Sequence, residues 1–166
     1  MLQKKICMIG SFAVGKTSLV RRFVQSIYSE AYHTTVGVKV DKRVVQSAGN
    51  EVTLVLWDIY GEDELQKMRW SYVRGAAGYL LVADGTRRTT LDKALELEEK
   101  VRQEAGPIPF VFAVNKSDLA AEWDLEAVTQ EHPAMKAWNI LRTSAKTGEG
   151  VEQAFSTLTK AILSAG

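Results

Sequence analysis

An open α/β fold is what this sequence predicts: a mostly parallel sheet with helices on both faces. Continuous apolar runs at 5–10 (KICMIG), 78–84 (GYLLVAD) and 109–115 (PFVFAVN) are short enough to be strands, and the last two close on a polar residue. Runs of that kind suit central strands covered on both faces, with chemistry at their carboxyl ends. Between them lie segments with apolar residues at helical spacing, so strands and helices alternate along the chain.

In chain order, strand 5–10 precedes a helix whose stripe is Leu19, Val20, Phe23, Val24 and Ile27. Residues 38–46 and 51–57 read as strands joined by Ser47-Ala48-Gly49-Asn50, a hairpin by its turn residues. Helical candidates near 65–74, 90–104 and 124–131 are interleaved with strands 78–84, 109–115 and a weaker last one at 139–143. The final helix carries Val151, Ala154, Phe155, Leu158 and Ile162 on one face. The order is β-α-β-β-α-β-α-β-α-β-α, with no repeat, linker or low-complexity segment.

A chain of 166 residues suffices for one domain, 1–166, with its own core. A net charge of +1 makes no electrostatic case for nucleic acid or an acidic membrane as the main partner. Cys7 is the one cysteine and cannot form an internal disulfide, which suits a reducing compartment. The first apolar run is too short for a signal peptide or a membrane span, and the chain ends SAG without a prenylation box. A cytoplasmic monomer with no intrinsic membrane anchor in this chain is expected.

GSFAVGKTS (10–18) follows the first strand and opens the first helix, which is G-x-x-x-x-G-K-[ST] in the context that motif requires. Gly10 and Gly15 let the backbone wrap, so that N–H groups along Ala13 and Val14 point at phosphate oxygens. The helix N-terminus, at Thr17 and Ser18, adds partial positive charge. Lys16 offers a full charge to β- and γ-phosphates, and Thr17 a hard oxygen to Mg²⁺. The bland alternative is a glycine turn with a solvated lysine; placement directly after a buried strand argues against it.

NKSD (115–118) follows the apolar run 109–114 and speaks to the base. A carboxylate at Asp118 can accept both N–H donors of guanine's Watson–Crick edge, where adenine presents an acceptor. Asn115 can bond N7, and the alkyl stem of Lys116 can lie along the ring face. TSAK (143–146) follows the last strand; with Ser144 and Lys146 flanking it, the Ala145 N–H can reach guanine O6. Asp58 ends the third strand, where a carboxylate can hold Mg²⁺ through a coordinated water. His33 reads as a loop residue and His132 as a helix end, and no zinc-ligand pattern is present.

GSFAVGKTS, Thr35 in TTVG, D-x-x-G at 58–61, NKSD and TSAK stand in the order and spacing of a Ras-superfamily small GTPase, which the chain resembles over essentially its whole length. YVRGAAGYLLVADGT (72–86) and TTVGV (34–38) are most similar to the Rab and Rho branches. The resemblance implies a P-loop NTPase fold: a six-stranded, mostly parallel sheet with one antiparallel strand, flanked by five helices. It also implies a guanine-nucleotide switch that binds GTP or GDP with Mg²⁺ and hydrolyses GTP. In that reading Thr35 closes onto Mg²⁺ and the γ-phosphate, with Thr34 as its neighbouring fallback, and Tyr28 packs on the guanine edge. Gly61 offers its N–H to the γ-phosphate, the metal set is Thr17, Thr35 and Asp58, and Lys16, Thr35, Gly61 and residue 62 surround the reacting phosphate. Effector and regulatory proteins would meet residues 30–40 and 60–74, where Met68, Trp70 and Tyr72 are either contact anchors or core.

The chain departs from the family pattern D-x-A-G-Q, reading D-I-Y-G-E at 58–62. The usual glutamine orients the attacking water by accepting from it and donating to it. Glu62 keeps the acceptor, loses the donor and adds negative charge beside a polyanion, which Asp63 and Glu64 reinforce. Tyr60 replaces a small residue, and Phe12 fills a position through which a partner's arginine would approach. Slow hydrolysis is expected. The competing readings are a non-hydrolysing nucleotide-loaded scaffold (a pseudo-GTPase) and a kinase, for which neither an acceptor site nor a basic lid is visible.

Overall fold

The computed structural model describes residues 2–25, 38–59, 70–122 and 125–165. Its strands are β1 (Leu2–Gly10), β2 (Val38–Ser47), β3 (Asn50–Ile59), β4 (Gly78–Asp84), β5 (Phe110–Asn115) and β6 (Ile140–Arg142). The α-helices are α1 (Lys16–Gln25), α2 (Arg88–Ala105), α3 (Leu125–Glu131) and α4 (Val151–Ala165). One six-stranded sheet runs in the order β2-β3-β1-β4-β5-β6. Only β2 is antiparallel to its neighbour; the other pairs are parallel, as expected.

The helix count differs from expectation. Among the described residues there are four α-helices, and the described end of the helix expected near 65–74 is a 3-10 turn, Trp70–Val73. Tryptophan, tyrosine and valine lose side-chain freedom in a helix. Gly75, at φ +79°, then turns the chain toward β4.

The apolar runs are buried on both faces because each face has its own helical layer. On one side Leu19, Phe23, Phe155 and Leu158 of α1 and α4 pack with Leu54, Leu56 and Val82. There the rings of Phe23 and Phe155 stack with centroids 4.0 Å apart. On the other side Leu91, Leu97, Val101 and Val128 of α2 and α3 pack with Ile9, Leu81 and Phe112. Every residue of β4 is buried, since its successive side chains enter opposite layers. No helix among the described residues is long and apolar enough to cross a membrane.

The β2–β3 hairpin closes through Ala48 and Gly49, which have φ of +51° and +77°. Two left-handed residues in a two-residue loop suit the twist of the strands, and alanine pays a steric cost there that asparagine largely avoids. Ala48→Asn is therefore expected to raise stability by about 0.5–1 kcal/mol. A denaturant midpoint that fails to rise would contradict this.

The strand order reverses at β1, with β3 and β2 on one side and β4, β5 and β6 on the other. At such a reversal a crevice opens beyond the carboxyl ends of the strands. The carboxyl ends of β1, β3, β4 and β5 carry Gly10, Asp58, Asp84 and Asn115, and Thr143 follows β6.

Candidate functional site

The loop from β1 to α1 lies tightly against the neighbouring strand ends. A Cβ on Gly10 would stand 2.4 Å from the Val82 carbonyl oxygen. One on Gly15, whose φ is +102°, would stand 2.3 Å from Asn115 Nδ2. Any side chain at either position would push the loop off its seat. Lys16 is 7% exposed. Its Nζ donates to the carbonyls of Gly10 and Ser11 at 3.1 Å each. Burial lowers its pKa to about 8, with Asp58 opposing the shift and Arg87 adding to it. A buried cation of this kind gains strongly from an anion brought beside it.

At the first turn of α1, Thr17 Oγ1 donates to Asp58 Oδ2 across 2.5 Å, and Asp58 is 1% exposed. A hydroxyl and a carboxylate brought together are the hard oxygen donors Mg²⁺ takes. The residues present fit that ion, and Thr17 and Asp58 would hold it.

The 115–118 and 143–146 segments form one unit. Thr143 Oγ1 donates to Asn115 Oδ1 at 3.2 Å, and the Ser117 N–H to the Thr143 carbonyl at 3.0 Å. Ser144 Oγ donates to Asp118 Oδ1 at 2.8 Å, orienting an otherwise exposed carboxylate. Ala145 is 4% exposed and Lys146 is exposed. This unit also grips the phosphate loop. Asn115 Nδ2 donates to the Val14 carbonyl at 3.0 Å, and Lys116 Nζ to the Ala13 carbonyl at 3.3 Å. Ala13 and Lys116 adopt φ of +61° and +67°, left-handed conformations in residues that seldom take them.

The structure thus brings together Gly10–Ser18, Asp58, Asn115, Lys116, Asp118 and Ser144–Lys146. Tyr28, His33, Thr34, Thr35, Tyr60, Gly61, Glu62, Asp63, Glu64 and Met68, with most of 30–40 and 60–74, lie outside the described residues. Trp70 and Tyr72 are half-buried and pack on the α2-side core.

Sequence reasoning missed Asp84, which is 1% exposed at the end of β4. Its Oδ1 accepts from the Thr86 N–H at 2.9 Å and Thr86 Oγ1 at 2.6 Å. Its Oδ2 accepts from Lys116 Nζ at 2.8 Å and Arg87 Nε at 3.0 Å. Burial by itself would raise the carboxyl pKa, but the hydrogen bonds from Lys116, Thr86 and Arg87 outweigh it and hold it below the ordinary value. A polar residue closing a wholly apolar run was the available signal. Also unforeseen is the meeting of Asp92, Glu131 and His132, with ligating atoms within 4.8 Å of one another. Arg88 donates to both carboxylates, so this is an ion-pair network joining α2 to α3.

A glycine-bounded loop with a buried lysine, an oxygen pair and a carboxylate-bearing loop at one sheet edge define a nucleotide-binding α/β protein of the P-loop class. The family model for the Ras family matches residues 5–164, and the chain belongs to that family of small GTPases. It is Rab-like: it is 38% identical over 165 residues to Ras-related protein Rab-4B of Rattus norvegicus, Homo sapiens and Mus musculus. Each match covers 96% of this chain and 76% of the relative.

Proposed function

We propose that the protein binds GTP and GDP with Mg²⁺ in the crevice at the carboxyl ends of β1, β3 and β5, and that it hydrolyses GTP slowly. The observation that carries this reading is the Asn115–Val14 hydrogen bond at 3.0 Å, which joins a guanine-type loop to a phosphate-type loop. Ala13, Val14 and Gly15 turn N–H groups toward the phosphates, and Lys16 neutralises charge at their β and γ positions. Mg²⁺, when bound, neutralises phosphate charge further; Thr17 and Asp58, with Thr35, would hold it. Asp118, oriented by Ser144, accepts from the guanine edge, Ala145 donates to its carbonyl, and Tyr28, Lys116 and Lys146 flank the ring.

Switching is assigned to residues 30–40 and 60–74, which would meet effectors differently in the two nucleotide states. Trp57 and Tyr72, with ring centroids 6.1 Å apart, are half-buried. Val40 and Val44, 44% and 53% exposed, lie on one face of β2 with the exposed Lys42 between them. This face is where a partner would anchor.

Slow hydrolysis rests on Glu62 in place of glutamine, with Tyr60 and Phe12 beside the same phosphate. A carboxylate cannot donate to the attacking water and repels the γ-phosphate. Single-turnover hydrolysis of bound GTP is therefore expected to be slower than in family members with glutamine, and Glu62→Gln to leave it unchanged or faster. A slower Glu62→Gln would instead assign Glu62 as a general base. The same departures favour a second reading, a nucleotide-loaded scaffold, which would bind its partners equally with GDP and GTP.

A further inference from the structure

Three consecutive carbonyls of the phosphate loop are each held by a side chain from the β4–β5 side. Lys116 takes Ala13 and Asn115 takes Val14. The third is Phe12, whose carbonyl accepts from Arg87 Nη2 at 2.8 Å. In a planar trans peptide the C=O of one residue and the N–H of the next point in opposite directions. Fixing the carbonyls of Phe12, Ala13 and Val14 therefore aims the N–H groups of Ala13, Val14 and Gly15 away from β4 and β5, into the loop.

Arg87 is not needed to satisfy Asp84. That carboxylate already accepts from Lys116 and twice from Thr86. The Arg87 side chain is 42% exposed while Asp84 is 1% exposed, so solvent screens this ion pair from the guanidinium side only. What the guanidinium does is span two acceptors with its fixed fork, Nε on Asp84 and Nη2 on Phe12. An ammonium has no such fork.

We propose that Arg87 is a positioning residue for the phosphate loop. By tying the Phe12 carbonyl to the Asp84 carboxylate that also anchors Lys116, it keeps the Ala13 N–H aimed at the phosphate chain. This rests on the nucleotide-binding function proposed above. The arrangement couples the loop that reads the base to the loop that cradles the phosphates, with Asp84 as the shared post.

The test is competition of GDP and of GMP against a fluorescent GDP analogue, in wild type, Arg87→Ala and Arg87→Lys, with the ¹⁵N-labelled Ala13 amide followed in parallel. The wild type is expected to prefer GDP. In Arg87→Ala the GDP-over-GMP preference is expected to fall roughly fivefold or more, the loss of one charge-assisted hydrogen bond, with GMP affinity nearly unchanged. The Ala13 amide resonance of the GDP complex is expected to shift, and Arg87→Lys to behave like Arg87→Ala. An unchanged GDP-over-GMP ratio in Arg87→Ala would overturn the assignment, as would equal losses on both nucleotides, the mark of a merely structural role. Full rescue by Arg87→Lys would also overturn it. A wild type that fails to bind GDP would sink the functional reading itself, and this inference with it.

Discussion

Lys16→Met is expected to weaken GDP binding by at least about a hundredfold, on the order of 3 kcal/mol, because the buried charge that pairs with the doubly charged β-phosphate is lost. The variant should still fold. Removing a charge that is 7% exposed relieves a desolvation cost, which offsets the two hydrogen bonds to the Gly10 and Ser11 carbonyls. Titration with labelled GDP beside a denaturant curve checks both halves; a variant that binds GDP within a few fold of wild type would remove Lys16 from the site. The same group sets two opposite pH slopes. In the empty protein burial holds the Lys16 pKa near 8, below its ordinary 10.5. The unfolded chain then binds more protons between those values, so the empty protein gains stability as pH rises from about 8 to about 10.5. Bound phosphates raise the pKa again. Nucleotide affinity is therefore fully present below about pH 8 and is lost as pH rises above it. Lys16→Met should flatten both slopes.

Asp118→Asn is expected to exchange the base preference. Ser144 Oγ donates to Asp118 Oδ1 at 2.8 Å, so an asparagine would keep its oxygen there and present its amide to the base. Guanine offers two donors to that position, and one would face a donor. A loss of about a hundredfold for GDP follows from two charge-assisted bonds at roughly 1.5 kcal/mol each. Xanthine carries a carbonyl where guanine carries its amino group, so xanthosine diphosphate should gain. Competition between the two nucleotides reads the exchange directly. Equal weakening of both would mean that Asp118 supports the loop without reading the base.

The legible part of the site was local in the chain. Gly10, Gly15, Lys16 and Thr17 lie within one strand–loop–helix turn, and wrapping an anion demands that spacing. Asn115, Lys116 and Asp118 were legible because a polar tetrapeptide directly followed an apolar run. The strands were legible as well, since burial on both faces leaves β4 without a polar residue before Asp84. The helix near 65–74 was misjudged at its described end. Its apolar spacing resembled a helix, but Trp70–Val73 winds as a 3-10 turn into Gly75.

Arg87 had no such signature. It lies 75 residues from Phe12, as Asn115 lies 101 from Val14 and Thr17 lies 41 from Asp58. His132, taken as a helix end, does follow α3, yet its Nε2 lies 2.9 Å from Asp92 Oδ1 on α2. The sequence by itself determined which chemical groups the protein carries and the alternation of strands and helices, because motif spacing and side-chain periodicity act over a few residues. Tertiary structure alone decided which groups meet. Parallel neighbours are joined by long crossovers, so no local pattern records that the ends of β1, β4 and β5 stand side by side. There the carboxylate of Asp84 ties Arg87 to Lys116, and the two cations hold the loop that Lys16 was recognised by.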